Sequence, residues 1–346
     1  MERTPATSTQ AKLASGLVSG LQQRFVTGLE KLARIHGTSQ NFAPVEWFRD
    51  RGSHGGGIRF ATADGELYSR GSVNVSQVHY DDMPEKRLGS ATAISTIIHP
   101  VHALAPSVHI HISWTEMKSG QGYWRMMADL NPSNEINADR DRFLEALKAA
   151  APKQFDGASA QGDRYFHIPA LNRHRGVAHF YLENFCTDDH QADYQLARSV
   201  GEAAIDSYLG ILTEALSNPP EATDQQRARQ LAYHTLYFFQ VLTLDRGTTT
   251  GLLIHDQNDV GIMGSLPAYV DRDLLGSWIE RLQPVQGGLL KELIAALPEE
   301  NPALVDEAVK QQLAAVVRNH YTAHPEAIAM QASGDVIPPT VANHKE

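Results

Sequence analysis

Val108-His109-Ile110-His111-Ile112-Ser113-Trp114-Thr115-Glu116 alternates polar and apolar residues without a break. In a strand, successive side chains point to opposite faces, so this run places His109, His111, Ser113 and Thr115 on one face and Ile110, Ile112 and Trp114 on the other. A sheet with one packed face and one polar face is typically antiparallel. The same alternation runs through Ser72-Val73-Asn74-Val75-Ser76-Gln77-Val78-His79-Tyr80. Upstream of it, Asp64-Gly65 separates two short strand-like runs, 58–62 and 66–70, which is strong hairpin chemistry. Further strands are expected at 93–98, 108–117, 123–130, 176–182 and 236–244, and a strand pair at 252–254 and 260–263.

Helices are expected where apolar positions recur at helical spacing. The first is an amphipathic helix carrying Leu13, Leu17, Leu21, Phe25, Leu29 and Leu32 and stopping at Gly37. Others are expected at 138–151, 191–216, 271–282, 289–297 and 303–321, with Pro219-Pro220 separating two of them. Consecutive strands followed by helices give an α+β fold, a large antiparallel sheet covered by helices on both faces. The chain divides into an N-terminal tail and helix (1–37), a catalytic domain (38–300), and a C-terminal helix ending in a loose tail after Gln331 (301–346).

Composition narrows the chemistry. One cysteine, Cys186, stands against sixteen histidines among 346 residues. A single thiol supports neither a disulfide framework nor a cysteine-bound iron–sulfur cluster. A net charge of -10 disfavours nucleic acid as a partner. No window is long and apolar enough for a membrane span, and no secretory signal is visible, so a cytoplasmic location is expected. No dinucleotide fingerprint or P-loop occurs: Gly55-Gly56-Gly57 precedes a strand rather than a helix.

Four of the sixteen histidines lie at 99, 102, 109 and 111. Two imidazoles at i and i+2 can close on one ion with Asp129, Glu116 or His99 as a third ligand, so His99, His109 and His111 form a candidate metal set, with manganese or iron as candidate ions. Acid–base chemistry is the alternative, and needs a carboxylate to hold the tautomer of a histidine. Asp129, at the end of a neighbouring strand, is the best candidate, although turn capping before Asn131-Pro132 explains it equally well. Leu244-Asp245-Arg246-Gly247-Thr248 reads as strand and turn, with Arg246 as a candidate ligand contact. Arg175-Gly176 poses the same choice.

In order along the chain, Gly55-Gly56-Gly57, Ser72-Val73-Asn74-Val75-Ser76, Ser95 with Ile98-His99-Pro100, Ala105-Pro106-Ser107-Val108-His109, Asp129-Leu130-x-Pro132, Tyr165-Phe166, Arg175-Gly176, Asp245-Arg246-Gly247-Thr248 and Met263-x-Ser265-Leu266-Pro267 resemble the oxygen-dependent coproporphyrinogen III oxidase family. The resemblance runs from about Trp47 to about Leu282. It implies a flat antiparallel sheet covered by helices, a homodimer, and oxidative decarboxylation of porphyrinogen propionates to vinyl groups in haem biosynthesis. Dioxygen is the oxidant, carbon dioxide and hydrogen peroxide are products, and no cofactor is required. By position, His109 matches the family's proton-donor histidine, Ser95 a substrate-contacting serine, Asp129 the aspartate that holds pyrrole N–H groups, and His99 a metal ligand of some bacterial members.

Departures from the pattern bear on the substrate. The family's Asn-x-Arg after the donor histidine is His111 and Ser113 here, and its Trp-Trp-Phe-Gly-Gly-Gly run is Tyr123-Trp124-Arg125-Met126-Met127-Ala128. Two further bacterial metal-ligand positions are Leu144 and Ala170, and an arginine after the Asp-Arg-Gly-Thr motif is replaced near Gln257. Arginine pairs bidentately with carboxylates, so these losses bear on propionate binding, with Arg125 the candidate to compensate. Three functions follow: an oxidase of this family with His109 and Asp129 at its centre, a metal-dependent oxygenase on the same scaffold, and a non-catalytic tetrapyrrole-binding paralogue. Ser95, His111, Ser113, Arg125, Arg175, Arg246 and Gln257 are the candidate substrate contacts.

Overall fold

Six strands follow one another in the computed structural model, which describes residues 1–255 and 258–345: β1 (Ala43–Phe48), β2 (Gly55–Ala63), β3 (Tyr68–His79), β4 (Leu88–Pro100), β5 (Ser107–Met117) and β6 (Gly122–Asn131). After helices α2 (Asn137–Ala150) and α3 (Phe155–Phe166), a two-residue hairpin of β7 (His167–Ile168) and β8 (Arg173–His174) leads into β9 (Ala178–Phe185). The seven-stranded sheet has the order β1-β2-β3-β4-β5-β6-β9, and every neighbouring pair is antiparallel. This is the α+β architecture expected from the alternating strands.

One face of the sheet is packed by α1 (Thr9–Ile35) and α4 (His190–Leu216). Ser8 starts α1 by accepting from the Ala11 N–H at 3.0 Å, and Asp189 starts α4 in the same way at Ala192. The helices bury Leu17, Leu21, Phe25, Ala204 and Ile211 against Val73, Ile94, Ile110, Ile112 and Phe180 of the strands. Each fully buried aliphatic side chain contributes roughly 1.5–3 kcal/mol, so this layer fixes the sheet. The other face is covered by a second core built from α5 (Asp224–Thr243), α6 (Arg246–Ile254), α7 (Asp259–Ile262), α8 (Arg272–Gly276), α9 (Pro284–Ala295) and α10 (Glu307–Ala323). A cleft remains between that core and the polar face of the sheet.

Several local expectations are corrected. Residues 236–244 are helical: Thr223 and Gln226 form a reciprocal capping box at the start of α5, and the run 233–243 is buried all round, which hides helical periodicity. Residues 252–254 and 260–263 belong to α6, α7 and a 3-10 turn instead of a strand pair. Asp245 makes that difference, because its Oδ1 accepts from the Thr248 N–H at 2.7 Å and caps α6 where a hairpin was expected. The runs 66–70 and 72–80 join in the single strand β3. The helix expected at 271–282 is only the short α8 and a 3-10 turn, Ile279–Arg281. Ala303–Leu304 forms β11, paired with β10 (Tyr269–Val270), before α10 begins. The segment after Gln331, expected as a loose tail, ends in α11 (Thr340–Lys345) and lies against the body of the protein. Among the described residues, no helix is long and apolar enough to cross a membrane.

Candidate active site

Strand registers lay the polar face out as a grid. One row runs Ser72, Ile97, His109, Asp129, His179, and the next runs Asn74, Ser95, His111, Met127, Tyr181. In a third row Ser76, Ala93, Ser113 and Arg125 stand opposite one another. These are the in-facing positions of five adjacent strands, so the residues of a row lie side by side.

In the first row, His109 Nδ1 lies 2.8 Å from Asp129 Oδ1. Asp129 is fully buried, and its Oδ2 accepts from Arg175 Nη2 at 2.8 Å and Asn131 Nδ2 at 2.6 Å. Burial opposes the charge on Asp129, but Arg175 and His109 outweigh it and hold the carboxyl well below its ordinary value. An ionised carboxylate only accepts, so His109 Nδ1 must donate, which leaves Nε2 for the cleft that His109 lines.

Arg175 is brought in by the turn before β9. Gly176 has φ +78°, and a Cβ there would lie 2.7 Å from Asn131 Oδ1 and 2.8 Å from the Leu130 carbonyl, so only glycine allows this approach. The guanidinium also donates to Gln240 Oε1 at 2.5 Å, and its Cζ lies 4.5 Å from the Phe166 ring centroid and 5.0 Å from that of Tyr237. This arginine is sandwiched and committed to Asp129.

A second buried pair stands two rows further along the same strand, four residues from Asp129 on β6. Arg125 Nε and Nη2 donate to Glu183 Oε2 at 2.7 and 2.6 Å, and the Tyr181 hydroxyl donates to the same oxygen. Burial works against the charge of Arg125, but Glu183 overrides it and raises the guanidinium well above its ordinary value. Among the described residues, no protein donor reaches the buried Glu183 Oε1 or the buried Asn74 Oδ1. Across the cleft, the Tyr165 hydroxyl donates to Asp245 Oδ2 at 2.9 Å.

The cleft has two adjoining lobes of about 970 and 920 Å³, open mouths included. Ser72, Asn74, Ser95, His109, His111 and Arg175 line the first lobe; Ser113, Tyr123, Arg125, Glu183, His255 and His344 line the second. His111 Nε2 lies 3.0 Å from Ser113 Oγ, and burial, with Arg125 and His109 nearby, pushes its imidazole well below its ordinary value.

The structure thus brings Ser95, His109, His111, Ser113, Arg125 and Arg175 to one cleft. Asp129 supports it from behind and does not line it. Arg246 turns away and donates through Nε to the Ala332 carbonyl at 2.8 Å. Gln257 lies outside the described residues. His99 is fully buried, with Nδ1 2.9 Å from Ser107 Oγ and Nε2 3.1 Å from the Ser265 carbonyl. Burial, followed by His234, pushes it well below its ordinary value. With both His99 nitrogens engaged and His109 Nδ1 held by Asp129, the expected set His99, His109 and His111 does not converge on an ion. Among the described residues only Cys186, His190 and Asp193 group as ligand-type atoms within 4.8 Å, and two of those three are exposed.

Sequence reasoning missed Glu183, Tyr165, Tyr237 and Gln240 as site residues. For Glu183 a signal was available, because Tyr181 and Glu183 alternate with Phe180 and Leu182 in β9. For Gln240 there is none, since the run 233–243 is buried on every side and shows no helical period.

The chain has relatives of one family. The family profile described as Coproporphyrinogen III oxidase matches residues 14–297. An oxygen-dependent coproporphyrinogen-III oxidase of Drosophila melanogaster is 25% identical over 301 residues, covering 80% of this chain and 75% of that protein. One from Rickettsia akari (strain Hartford) is 26% identical over 276 residues, covering 75% of this chain and 97% of that protein. The mitochondrial Homo sapiens protein of the same name is 25% identical over 268 residues, 69% of this chain and 57% of that protein. Matched over most of its length, the chain belongs to the coproporphyrinogen III oxidase family.

Proposed function

We propose that this protein oxidatively decarboxylates the propionate side chains of coproporphyrinogen III to vinyl groups, giving protoporphyrinogen IX, with dioxygen as acceptor. Two of the four propionic acid arms are converted, and each with one dioxygen becomes one vinyl group, one carbon dioxide and one hydrogen peroxide. The observation that carries the reading is the His109–Asp129–Arg175 chain beneath the cleft. It fixes the tautomer of His109 and presents Nε2 as the group that moves a proton at the substrate. Asp129, saturated by three partners, is a positioning residue in this scheme.

The polar inventory of the cleft supports a porphyrinogen. Among the described residues, Asn74 Oδ1 and Glu183 Oε1, on side chains that line the two lobes, are acceptors without a protein donor, which pyrrole N–H groups would satisfy. Arg125 and Arg175 are each paired to a buried carboxylate, so propionates meet the hydroxyls of Ser72, Ser76, Ser95 and Thr248 in the first lobe. The reaction draws its electrons from the pyrrole ring, which leaves positioning and proton management to the protein.

The test is aerobic incubation of the purified protein with coproporphyrinogen III, following oxygen uptake and the porphyrins recovered after oxidation. The expected result is one oxygen consumed per vinyl group formed, with divinyl product accumulating. Protein that binds the substrate but forms no vinyl group would replace this reading with a tetrapyrrole-binding role. A homodimer goes with the family assignment, and light scattering of the purified protein is expected to give twice the monomer mass.

A further inference from the structure

We propose that the C-terminal segment, residues 331–345, is a strap across the substrate cleft that contacts the substrate through Thr340, Asn343 and His344. It rests on the reading of the cleft as the substrate site. The segment lies wholly beyond the family match, which ends at residue 297.

The strap is tied at three places. Gln331 Nε2 donates to Thr249 Oγ1 at 2.5 Å, and the Ala332 N–H donates to the Leu244 carbonyl at 2.9 Å, both at the junction of α5 and α6. The Asp335 N–H then donates to Gln161 Oε1 at 2.9 Å, and Gly334 fits so closely that a Cβ there would lie 3.0 Å from Tyr181. Finally His344, 8% exposed, sets its ring 6.0 Å from Tyr80 and 5.5 Å from His255, centroid to centroid.

Topology makes these ties a bridge. Tyr181 is on β9, and Tyr80 directly follows β3, four places away in the sheet order. At about 4.8 Å per strand the two flanks stand about 19 Å apart across the sheet. Because Tyr80 lies six residues beyond Asn74 of β3, the row partner of Tyr181, the ten residue steps from 334 to 344 cross the sheet on a diagonal. The strap therefore passes over the mouth between the two flanks. Thr340, Asn343 and His344 line the second lobe, which stays open beneath them with Ser113 and Tyr123 also in its wall. They form a wall of the lobe and do not fill it. Burial pushes His344 down to about 4, so its imidazole is neutral near pH 7 and faces the ligand as a polar, uncharged group.

The test compares the full chain, the chain ending at Met330, and full-length His344→Ala, each also prepared with Ala91→Cys in a Cys186→Ser background. Ala91 lines the second lobe, so maleimide labelling of residue 91 measures shielding without reference to any substrate. Truncation is expected to speed labelling about tenfold, the loss of a local closure worth about 1.4 kcal/mol. For coproporphyrinogen III, truncation and His344→Ala are both expected to raise KM about fivefold at unchanged kcat, the pattern of lost uniform binding. Equal labelling rates would overturn the strap. Faster labelling with an unchanged or lower KM would overturn substrate contact in favour of a cover that blocks entry. Faster labelling with no turnover by any of the chains would keep the strap and sink the porphyrinogen reading instead. If the truncated chain loses its folded circular dichroism, His344→Ala decides the question alone, because it removes only one ring from the wall.

Discussion

Replacing His109 with alanine is expected to lower kcat for porphyrinogen oxidation by about 10²–10⁴-fold, the contribution of a positioned proton-transfer group. KM should change little, because the side chain is one of many in the cleft wall. The fold should survive as well: Asp129 keeps Arg175 and Asn131 as partners, so its charge stays compensated. The measurement is steady-state kinetics beside a thermal melt. A folded variant that retains more than about a tenth of wild-type kcat would remove His109 from the proton-transfer role.

Asp129→Asn acts through a different mechanism and should be the most destabilising single change at the site. It leaves the Arg175 guanidinium, 2% exposed, without its carboxylate. Breaking one half of a buried ion pair costs about 3–5 kcal/mol, which urea or thermal unfolding detects directly. It also alters catalysis, since an amide that donates toward His109 Nδ1 favours the wrong tautomer. The pH dependence carries its own sign. The folded carboxyl titrates below its unfolded value of 3.8, so its stabilisation is complete above that pH and is lost as the pH falls toward the folded value. Wild-type melting temperature should therefore drop below about pH 4 by an increment that Asp129→Asn lacks. Parallel acid limbs for the two proteins would show that the pair contributes no linkage.

The alternating strands made the sheet readable in the sequence, and with it the grid: once 108–116 and 123–130 are neighbouring antiparallel strands, His109 and Asp129 can face each other. What resisted reading was everything that covers the sheet. Residues 233–243 are apolar or buried on every side of α5, so neither period shows, and Asp245 has the same sequence signature as an N-cap and as a turn residue. Arg175 reaches Asp129 through a glycine turn whose direction depends on tertiary contact with Asn131 and Leu130. Likewise the commitment of Arg125 to Glu183 depends on β9 joining β6, a pairing separated by two helices and a hairpin in the chain.

The grid also bears on how such a site can diverge. A one-residue slip in β5 would turn Ile110 and Ile112 into the cleft and drive His109 and His111 into the packed layer. An insertion in the middle of β5 therefore disturbs every row, while substitution at a grid point leaves the rows in place; the register shifts of the sheet lie nearer strand ends, at Tyr68/Arg70, Leu88/Ser90 and Trp124/Met126. For this fold the unit of functional change is a single in-facing position, and chemistry can shift by one side chain while every neighbouring distance is inherited.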